Sequence, residues 1–556
     1  MKLSIVAVIA FLATVATCQN LTEIVHIDKG PVRGFVTKTA FHNIPYSAFL
    51  GIPYAKPPVG DLRFKAPVEI NPWTNVYKAI LERDACPQIQ EGKYDGSEDC
   101  LHLNVYTPRT DFTRNATLKP VLVWIHGGGF INGVNAKDVY GPDWYIEEDV
   151  IMVAMKYRLG PLGFLSLDHP DARGNQGLKD QNMALRWVQK NIAKFGGDPN
   201  RVTIQGESAG AVSTSYHLMS KQSKGLFHQA IVQSGSSLCP WGYKSPAASR
   251  WTSYVLGKNM NISADNDDQL LKALKKADVR DIITVATPMT NENIPLPLRI
   301  AFVPTTESGP DAFVEDCPLS YFESGNFNQV PTLLGYTAQE SILYSLGLDF
   351  ERQSIQAKLL SGSSLVDLTG HNHLFINTMN AIVNDTVWEM IKASSLYVFS
   401  GPMDLMHRLL TKNPGHLPVY FYRLSYDTEY NWHREVNPNI GGTSHADDLP
   451  MTFYFGGYPK DPNHPINVYA KKVTTMWVNF IKYGNPTPFA SKINGTRWIA
   501  SGKQGLQLDL RNDNFVMSNR FIVDRDALVM EKYYNGLPVT SECKNYPLST
   551  SRGVFN

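Results

Sequence analysis

Short apolar runs recur along the chain, and more polar stretches with helical spacing separate them. The runs are rich in Val, Ile and Leu: "PVLVWIH" (120–126), "VIMVAMKY" (150–157), "RVTIQG" (201–206), "HQAIVQSG" (228–235), "VPTLLGY" (330–336) and "VYFYRLSY" (419–426). Nearly continuous apolar strands are typical of sheets that are covered on both faces. Helical stretches such as "QNMALRWVQKNIAKF" (181–195) lie between them. The pattern therefore predicts an α/β fold with a mostly parallel central sheet and helices on both faces.

The third apolar run leads directly into "GESAG" (206–210), in which Ser208 lies between two glycines. The pattern G-x-S-x-G is weak alone, because average usage of glycine and serine produces it in roughly one chain in five of this length. Its context is more specific, since a strand before the serine and a helix after it are what a nucleophile elbow requires. Ser208 is therefore a candidate nucleophile.

A run of three glycines, "HGGGF" (126–130), follows the first apolar run. Ligands of open α/β sheets gather at the carboxyl ends of the strands, which is where both glycine motifs are expected. Glycines allow successive N–H groups to point at one spot and allow a substrate carbonyl to approach closely. Gly128 and Gly129, together with Ala209 after the serine, are therefore predicted to form an oxyanion hole.

A serine nucleophile needs a base, and the base needs a carboxylate that orients it. Glu340 follows the fifth apolar run in "TAQES", although, taken alone, this position is better explained by a glutamate that begins a helix. His445 lies in a glycine-flanked loop, "GGTSHADDLP", after the sixth run. His433, beside Trp432, is interpreted as a surface or packing residue. The residue pattern leaves six other histidines after Glu340 as alternative bases: His371, His373, His407, His416, His433 and His464.

The chain order Ser208, Glu340, His445 is the order found in α/β hydrolases, and it differs from the chymotrypsin-like and subtilisin-like orders. At this point the sequence resembles the type-B carboxylesterase and cholinesterase-like family over about residues 24–535, and it is most similar to secreted insect carboxylesterases. The resemblance is carried by "FGGDPNRVTIQGESAG" (195–210), "SEDCLHLNVYTP" (97–108), "FLGIPYAKPPVGDLRF" (49–64), "YRLGPLGFLSL" (157–167) and "LKDQNMALRWVQKNIAKFGG" (178–197).

The resemblance implies an α/β-hydrolase fold and a role for each candidate residue. Ser208 matches the nucleophile, Glu340 the acid and His445 the base. The resemblance also implies that Gly128, Gly129 and Ala209 donate to the oxyanion and that Cys86 and Cys100 form a disulfide. It implies two structural ion pairs, Arg63–Glu98 and Arg158–Asp180. Ser234 and Asp448 match a pair of residues that supports the catalytic histidine. Trp241, which follows a strand end, is expected near the acyl side of the site.

The composition adds few constraints on function. The chain has 556 residues, with 52 basic and 51 acidic side chains and a net charge of +1, and neither sign forms a long run. This balance gives no electrostatic case for binding nucleic acid or an anionic membrane surface. We find no linker, low-complexity tract or repeat, and we predict a single α/β-hydrolase domain over residues 19–556. No cofactor and no metal site are predicted.

The first 18 residues read as a secretory signal peptide, because Lys2 precedes a short apolar run and small residues follow it. The C-terminus carries neither a retention signal nor an apolar anchor tail. We therefore expect a secreted, extracellular protein without a membrane anchor. Five sequons are consistent with export and are candidate glycosylation sites: Asn20, Asn115, Asn261, Asn384 and Asn494. Beyond Cys86 and Cys100, the cysteines Cys239, Cys317 and Cys543 allow at most one further bridge, with Cys239 equally compatible with a buried free thiol.

The sequence thus predicts a serine carboxylesterase that cleaves small-molecule esters through an acyl-enzyme on Ser208. The alternatives are a non-catalytic binding or adhesion protein of the same fold, and a narrower esterase for juvenile hormone or for pheromone and odorant esters. Cholinesterase activity is disfavoured, because the first disulfide loop holds Tyr94 where that activity needs a tryptophan. Glu207 replaces the glutamine that is typical of juvenile hormone esterases. We expect activity to fall below about pH 6–7, where a histidine base becomes protonated.

Overall fold

The computed structural model describes residues 20–114, 117–289, 300–345, 383–436 and 440–523. The predicted signal peptide, the sequon at Asn115 and Cys543 lie outside these ranges, as does the side chain of Asn384.

The strands of the described ranges are, in chain order, β1 (Val25–Ile27), β2 (Gly30–Arg33), β3 (Phe35–Lys38), β4 (Pro45–Pro53), β5 (Tyr77–Lys78), β6 (Gln88–Gln90), β7 (Lys93–Asp95), β8 (His102–Thr107), β9 (Lys119–Ile125), β10 (Ile151–Met155), β11 (Gly197–Glu207), β12 (Gln229–Gln233), β13 (Thr332–Thr337), β14 (Val419–Ser425), β15 (Gln507–Arg511) and β16 (Phe515–Ser518). The helices are α1 (Asp143–Glu147), α2 (Gly160–Phe164), α3 (Gln176–Asn191), α4 (Ala209–Met219), α5 (Pro246–Asn259), α6 (Asp267–Lys276), α7 (Val279–Ala286), α8 (Pro318–Ser324), α9 (Ile342–Ser345), α10 (Val383–Ser395), α11 (Gly401–Leu410), α12 (His433–Val436) and α13 (Pro465–Tyr483).

Eleven strands form one central sheet in the order β16-β15-β14-β13-β12-β11-β9-β10-β8-β4-β3. The strands from β15 to β10 pair in parallel, and antiparallel pairs close both sides of the sheet. All six apolar runs of the sequence are strands of this parallel block, with β11 near its centre. The predicted α/β class and the mostly parallel sheet are confirmed.

Alternate residues of the parallel strands feed two different hydrophobic clusters. Val121 and Val123 of β9 belong to one cluster, whereas Leu122 and Trp124 belong to the other, and all four side chains are fully buried. Because successive side chains of a strand point to opposite faces, the two clusters lie on the two faces of the sheet. This burial on both faces explains why the runs are apolar throughout instead of alternating.

Two ion pairs predicted from the family resemblance are present. Arg158 binds Asp180 in a bidentate geometry, with Nε–Oδ2 at 2.7 Å and Nη2–Oδ1 at 2.6 Å. Both side chains are almost completely buried, at 3% and 0% exposure. Arg63 binds Glu98 in the same way, with two contacts of 2.6 Å. Bidentate geometry of this kind compensates the cost of removing both charges from water.

Replacement of Arg158 by methionine should lower the free energy of unfolding by about 3–5 kcal/mol, because it leaves the buried carboxylate of Asp180 without its partner. Urea-induced unfolding followed by fluorescence measures the change. Arg114→Met is the control, since that side chain is 87% exposed and its contact with Asp111 is 3.6 Å long. The control should change stability by less than about 0.5 kcal/mol. A loss at Arg158 that is no larger than in the control would contradict the assignment.

The cysteines divide between bridges and one buried thiol. Cys86 and Cys100 form the predicted disulfide. Cys317 is also disulfide-bonded. Cys239 is a free and buried thiol, and burial raises its pKa to about 12.

Candidate active site

Ser208 lies on a sharp turn between β11 and α4. Its backbone has φ 56° and ψ −124°, and its N–H donates to the carbonyl of Gln233 on the neighbouring strand at 2.9 Å. A Cβ at Gly206 would lie 2.2 Å from the carbonyl oxygen of Gly210, and a Cβ at Gly210 would lie 2.0 Å from that of Ile125. Both flanking glycines are therefore sterically required, which is the physical basis of the "GESAG" pattern.

The three-glycine loop follows β9, the strand beside β11. Gly128 and Gly129 have φ of 100° and 59°, the left-handed region that glycine adopts without strain. In the described ranges, the N–H groups of Gly128, Gly129 and Ala209 take part in none of the backbone hydrogen bonds of turns, loops or caps. They remain available to a ligand oxygen.

Glu340 and His445 are brought together although 105 residues separate them in the chain. The Glu340 Oε2 atom lies 2.6 Å from His445 Nδ1, and the backbone N–H of His445 donates to the Glu340 carbonyl at 3.1 Å. The second carboxylate oxygen of Glu340 accepts the N–H of Thr337 at 2.8 Å. The pair is buried, with side-chain exposures of 0% and 5%. These contacts fix which ring nitrogen of His445 faces the carboxylate and leave Nε2 pointing away from it.

The Nε2 atom of His445 lies 3.1 Å from Oε1 of Glu207, the residue directly before Ser208. The imidazole therefore lies at the elbow and bridges two carboxylates. Sequence reasoning treated Glu207 only as the variable residue of the serine motif. Its position next to the nucleophile was the available signal.

Burial and neighbouring charges shift the pKa values of both Glu207 and His445. Burial raises the pKa of Glu207 to about 8. Burial opposes a charged imidazole, but the carboxylates of Glu207 and Glu340 outweigh it and raise the pKa of His445 to about 9. Such displaced pKa values in one cluster are characteristic of functional sites.

Asp448 is one of the carboxylates whose charge raises the pKa of His445, and it is held by residues of the central sheet. Asp448 Oδ2 accepts the hydroxyl of Tyr422 at 2.6 Å and the amide of Gln233 at 2.9 Å. Among the residues that the structure describes, the hydroxyl of Ser234 has no hydrogen-bond partner, and neither has Oδ1 of Asp448. Gln233 and Tyr422 come from β12 and β14, so Asp448 is anchored to the sheet and not to the serine.

An aromatic wall adjoins the histidine. The ring of Phe399 lies 4.6 Å from that of His445, and the ring of Trp241 lies 5.7 Å from that of Phe399. Trp241 is fully buried, and its indole N–H donates to the carbonyl of Val398 at 3.1 Å. This wall places apolar surface beside His445.

A serine elbow after a central parallel strand, with a buried Glu–His pair at the neighbouring strand ends, defines an α/β hydrolase. A model of the Carboxylesterase family matches residues 21–519. The chain therefore belongs to the Carboxylesterase family and is a hydrolase of carboxylic esters.

Similar proteins support the same class. Juvenile hormone esterase of Tribolium castaneum is 34% identical over 80% of this chain and 80% of its own. Acetylcholinesterase of Bungarus fasciatus is 34% identical over 86% and 82%, and esterase E4 of Myzus persicae is 32% identical over 89% and 91%. The crystal structure of juvenile hormone esterase from Manduca sexta with OTFP covalently attached superposes with a TM-score of 0.79 at 28% identity, covering 92% of this chain and 99% of that one.

Proposed function

We propose that this esterase acts through an acyl-enzyme on Ser208, with His445 as the base and Glu340 as the acid. The observation that carries the proposal is the 2.6 Å contact between Glu340 and His445, which holds Nε2 of the histidine at the serine elbow. Gly128, Gly129 and Ala209 supply the N–H groups for the oxyanion. The free N–H groups of the glycine loop and the strained backbone of Ser208 support these roles.

The reaction follows from this arrangement. His445 takes the proton of the Ser208 hydroxyl while the Oγ atom of Ser208 attacks the ester carbonyl. The N–H groups stabilise the negative charge of the tetrahedral intermediate, and protonated His445 gives its proton to the departing alcohol. Water then attacks the acyl-enzyme with the same base and releases the acid. Glu340 stabilises the imidazolium that forms in each half of the reaction.

The experiment that tests the proposal is steady-state hydrolysis of p-nitrophenyl esters from acetate to dodecanoate. Turnover of the short or medium esters supports the mechanism, and the optimum chain length measures the acyl pocket. Absence of hydrolysis across the series, in protein that retains the Cys86–Cys100 bridge, would contradict it.

A juvenile hormone ester is a second candidate substrate, because the relative in Tribolium castaneum and the solved structure from Manduca sexta both carry that name. Glu207 in place of glutamine favours the general esterase. Cholinesterase activity remains disfavoured: the guanidinium of Arg280 lies 4.9 Å from the centre of the Tyr94 ring, so a cation of the protein already contacts this ring. Competition between a methyl ester of a long isoprenoid acid and p-nitrophenyl acetate separates the two candidates.

The pH profile should respond to Glu207. The base must be neutral, and the raised pKa of His445 moves the loss of activity on acidification upward from the pH 6–7 expected for an unperturbed histidine. Glu207→Gln removes one negative neighbour, lowers this pKa and should shift the acid limb of kcat/KM downward by about one pH unit. Glu307→Gln is the control, because Glu307 is buried against Lys179 and not against His445. An acid limb that stays in place in Glu207→Gln would show that Glu207 does not set the protonation of the base.

We further propose that the protein is secreted as a glycoprotein. The Cys86–Cys100 bridge fits an oxidising compartment. Asn20 and Asn261 are exposed and Asn494 is half-buried, so all three sequons are compatible with glycan attachment. None of the helices in the described ranges is long and apolar enough to cross a bilayer. Digestion with peptide N-glycosidase and mass mapping of the secreted protein tests each sequon.

A further inference from the structure

A second histidine–carboxylate pair lies beneath the loop that carries His445. Nδ1 of His433 lies 2.8 Å from Oδ2 of Asp447, and both side chains are completely buried, at 0% exposure. His433 belongs to the short helix α12, and Asp447 is two residues beyond His445. His433 was expected to be a surface or packing residue, and its burial excludes the surface position, because its ring contacts Asp447 and the carbonyl of Ile440.

The partners of His433 determine its protonation. Its Nε2 lies 2.9 Å from the carbonyl oxygen of Ile440, which can only accept, so Nε2 carries a proton. Its Nδ1 faces the carboxylate of Asp447, whose Oδ2 also accepts the N–H of Ser444 at 2.6 Å. A hydrogen bond between Nδ1 and Oδ2 therefore requires one further proton in the pair. Without that proton, two lone pairs would face each other at 2.8 Å in a buried site.

These contacts hold the loop on both sides of His445. His433 fixes the carbonyl of Ile440 at the start of the loop, and Asp447 fixes the N–H of Ser444 immediately before His445. We propose that His433 and Asp447 are positioning residues for His445, and that loss of the proton from their hydrogen bond as the pH rises releases the loop and lowers turnover. The inference rests on the proposed role of His445 as the base.

The charged groups around His433 and Asp447 are consistent with a proton that is held in the folded protein and lost as the pH rises. Asp447 raises the pKa of His433 against the effect of burial, and the neighbouring Arg434 lowers it. Arg434 is itself bound to Asp427 at 2.6 Å. Burial and the charges of Glu435, Asp447 and Tyr430 raise the pKa of Tyr458, which is therefore a further titratable group near Asp447. Because the pKa of His433 is raised in the folded protein, its contribution is fully present below the unfolded pKa of about 6.5 and is lost as the pH rises through the folded value.

His433→Gln and Asp447→Asn test the proposal by their pH profiles. Glutamine retains one donor but cannot titrate, so His433→Gln should lower kcat about tenfold at neutral pH and leave KM within about twofold. It should also remove the decline of kcat with rising pH that the proposal predicts for the wild type. The control is His217→Gln: His217 is fully buried, and its two ring nitrogens contact Ser223 and Gln181, far from the loop. This control should lose stability but keep the wild-type profile.

Backbone hydrogen exchange of the wild-type enzyme tests the same idea without a substitution. Peptides that cover residues 440–448 should lose protection between about pH 7 and pH 10 after correction for intrinsic rates, whereas those of α13 should not. Equal protection at both pH values, or variants whose kcat and alkaline limb match the wild type, would overturn the proposal. These outcomes differ from failure of the proposed function, in which the Ser208→Ala enzyme would retain the activity of the wild type.

Discussion

Replacement of Ser208 by alanine should lower kcat for p-nitrophenyl butyrate by about 10⁴–10⁶-fold while the protein remains folded. Alanine lacks the oxygen that attacks the ester, so neither an acyl-enzyme nor its hydrolysis is possible. The positive φ of the serine is kept, because alanine tolerates the same backbone conformation with the same two flanking glycines. The residual rate would come from the oxyanion donors and from substrate binding.

The matched control for this variant is Ser253→Ala. Ser253 is as buried as the elbow serine, and its hydroxyl donates to the carbonyls of Ser166 and Ser249 within and beside α5. The control should keep wild-type kcat. Labelling with a fluorophosphonate adds a second readout, since the wild type and Ser253→Ala should gain the mass of one phosphonyl group and Ser208→Ala should gain none. Full activity in Ser208→Ala would end the assignment of the nucleophile.

Replacement of Glu340 by glutamine should lower kcat by about 10³–10⁴-fold with little change in KM. The amide keeps the shape of the side chain, but it offers the histidine a different hydrogen-bonding pattern and no charge. Where the amide nitrogen faces Nδ1, the ring must accept there and present its other N–H to the serine, which disables the base. Even with the amide oxygen in place, the imidazolium would lose the buried charge that stabilises it at 2.6 Å.

Glu307→Gln provides the comparison, because this glutamate is equally buried and lies 2.5 Å from Lys179. It should lower stability through an unpaired buried charge and leave kcat unchanged. Comparison of kcat in Glu340→Gln and Glu307→Gln separates the effect of losing a carboxylate at the site from the effect of losing any buried carboxylate. Equal activity in both variants would remove Glu340 from the mechanism.

The parallel block of the sheet was predictable because both of its faces are buried. The runs at 119–125 and 419–425 are apolar at nearly every position, and only a strand covered on both sides requires this. The antiparallel strands at its margins were not predicted. The strand β3 is short and half-exposed, so its composition does not distinguish it from a loop.

Site residues were easiest to predict where contacts within one short segment require a particular residue type. Gly206 and Gly210 are required by contacts within the same turn, so the motif is legible in the sequence. The hydrogen-bond partners of Asp448 come from β12 and β14, which are distant in the chain, and its role behind the histidine was predicted only from the family resemblance. No spacing rule connects residues that meet only through the tertiary fold.

Buried charged groups were the least predictable features. A lysine is ordinarily expected at the surface, but Lys156 is only 2% exposed. Its ammonium group donates to the backbone carbonyls of Arg83 and Asp84. His433 is buried because Asp447 and the carbonyl of Ile440 satisfy its ring. In each case the partner is a backbone carbonyl or a distant carboxylate, and neither leaves a pattern around the residue in the sequence.

Because the three candidate catalytic residues follow three different strands, we expect activity to appear late in the synthesis and folding of the chain. Ser208, Glu340 and His445 follow β11, β13 and β14, and the last of these strands must pair before the histidine reaches the elbow. Domains are synthesised at roughly 5–20 residues per second, so a ribosome spends many seconds between the serine and the histidine. With the proposed roles of Ser208, Glu340 and His445, the nascent chain is expected to be inactive during that interval. Appearance of esterase activity during refolding or translation therefore reports completion of the sheet as far as β14, and it can time that step without any spectroscopic label.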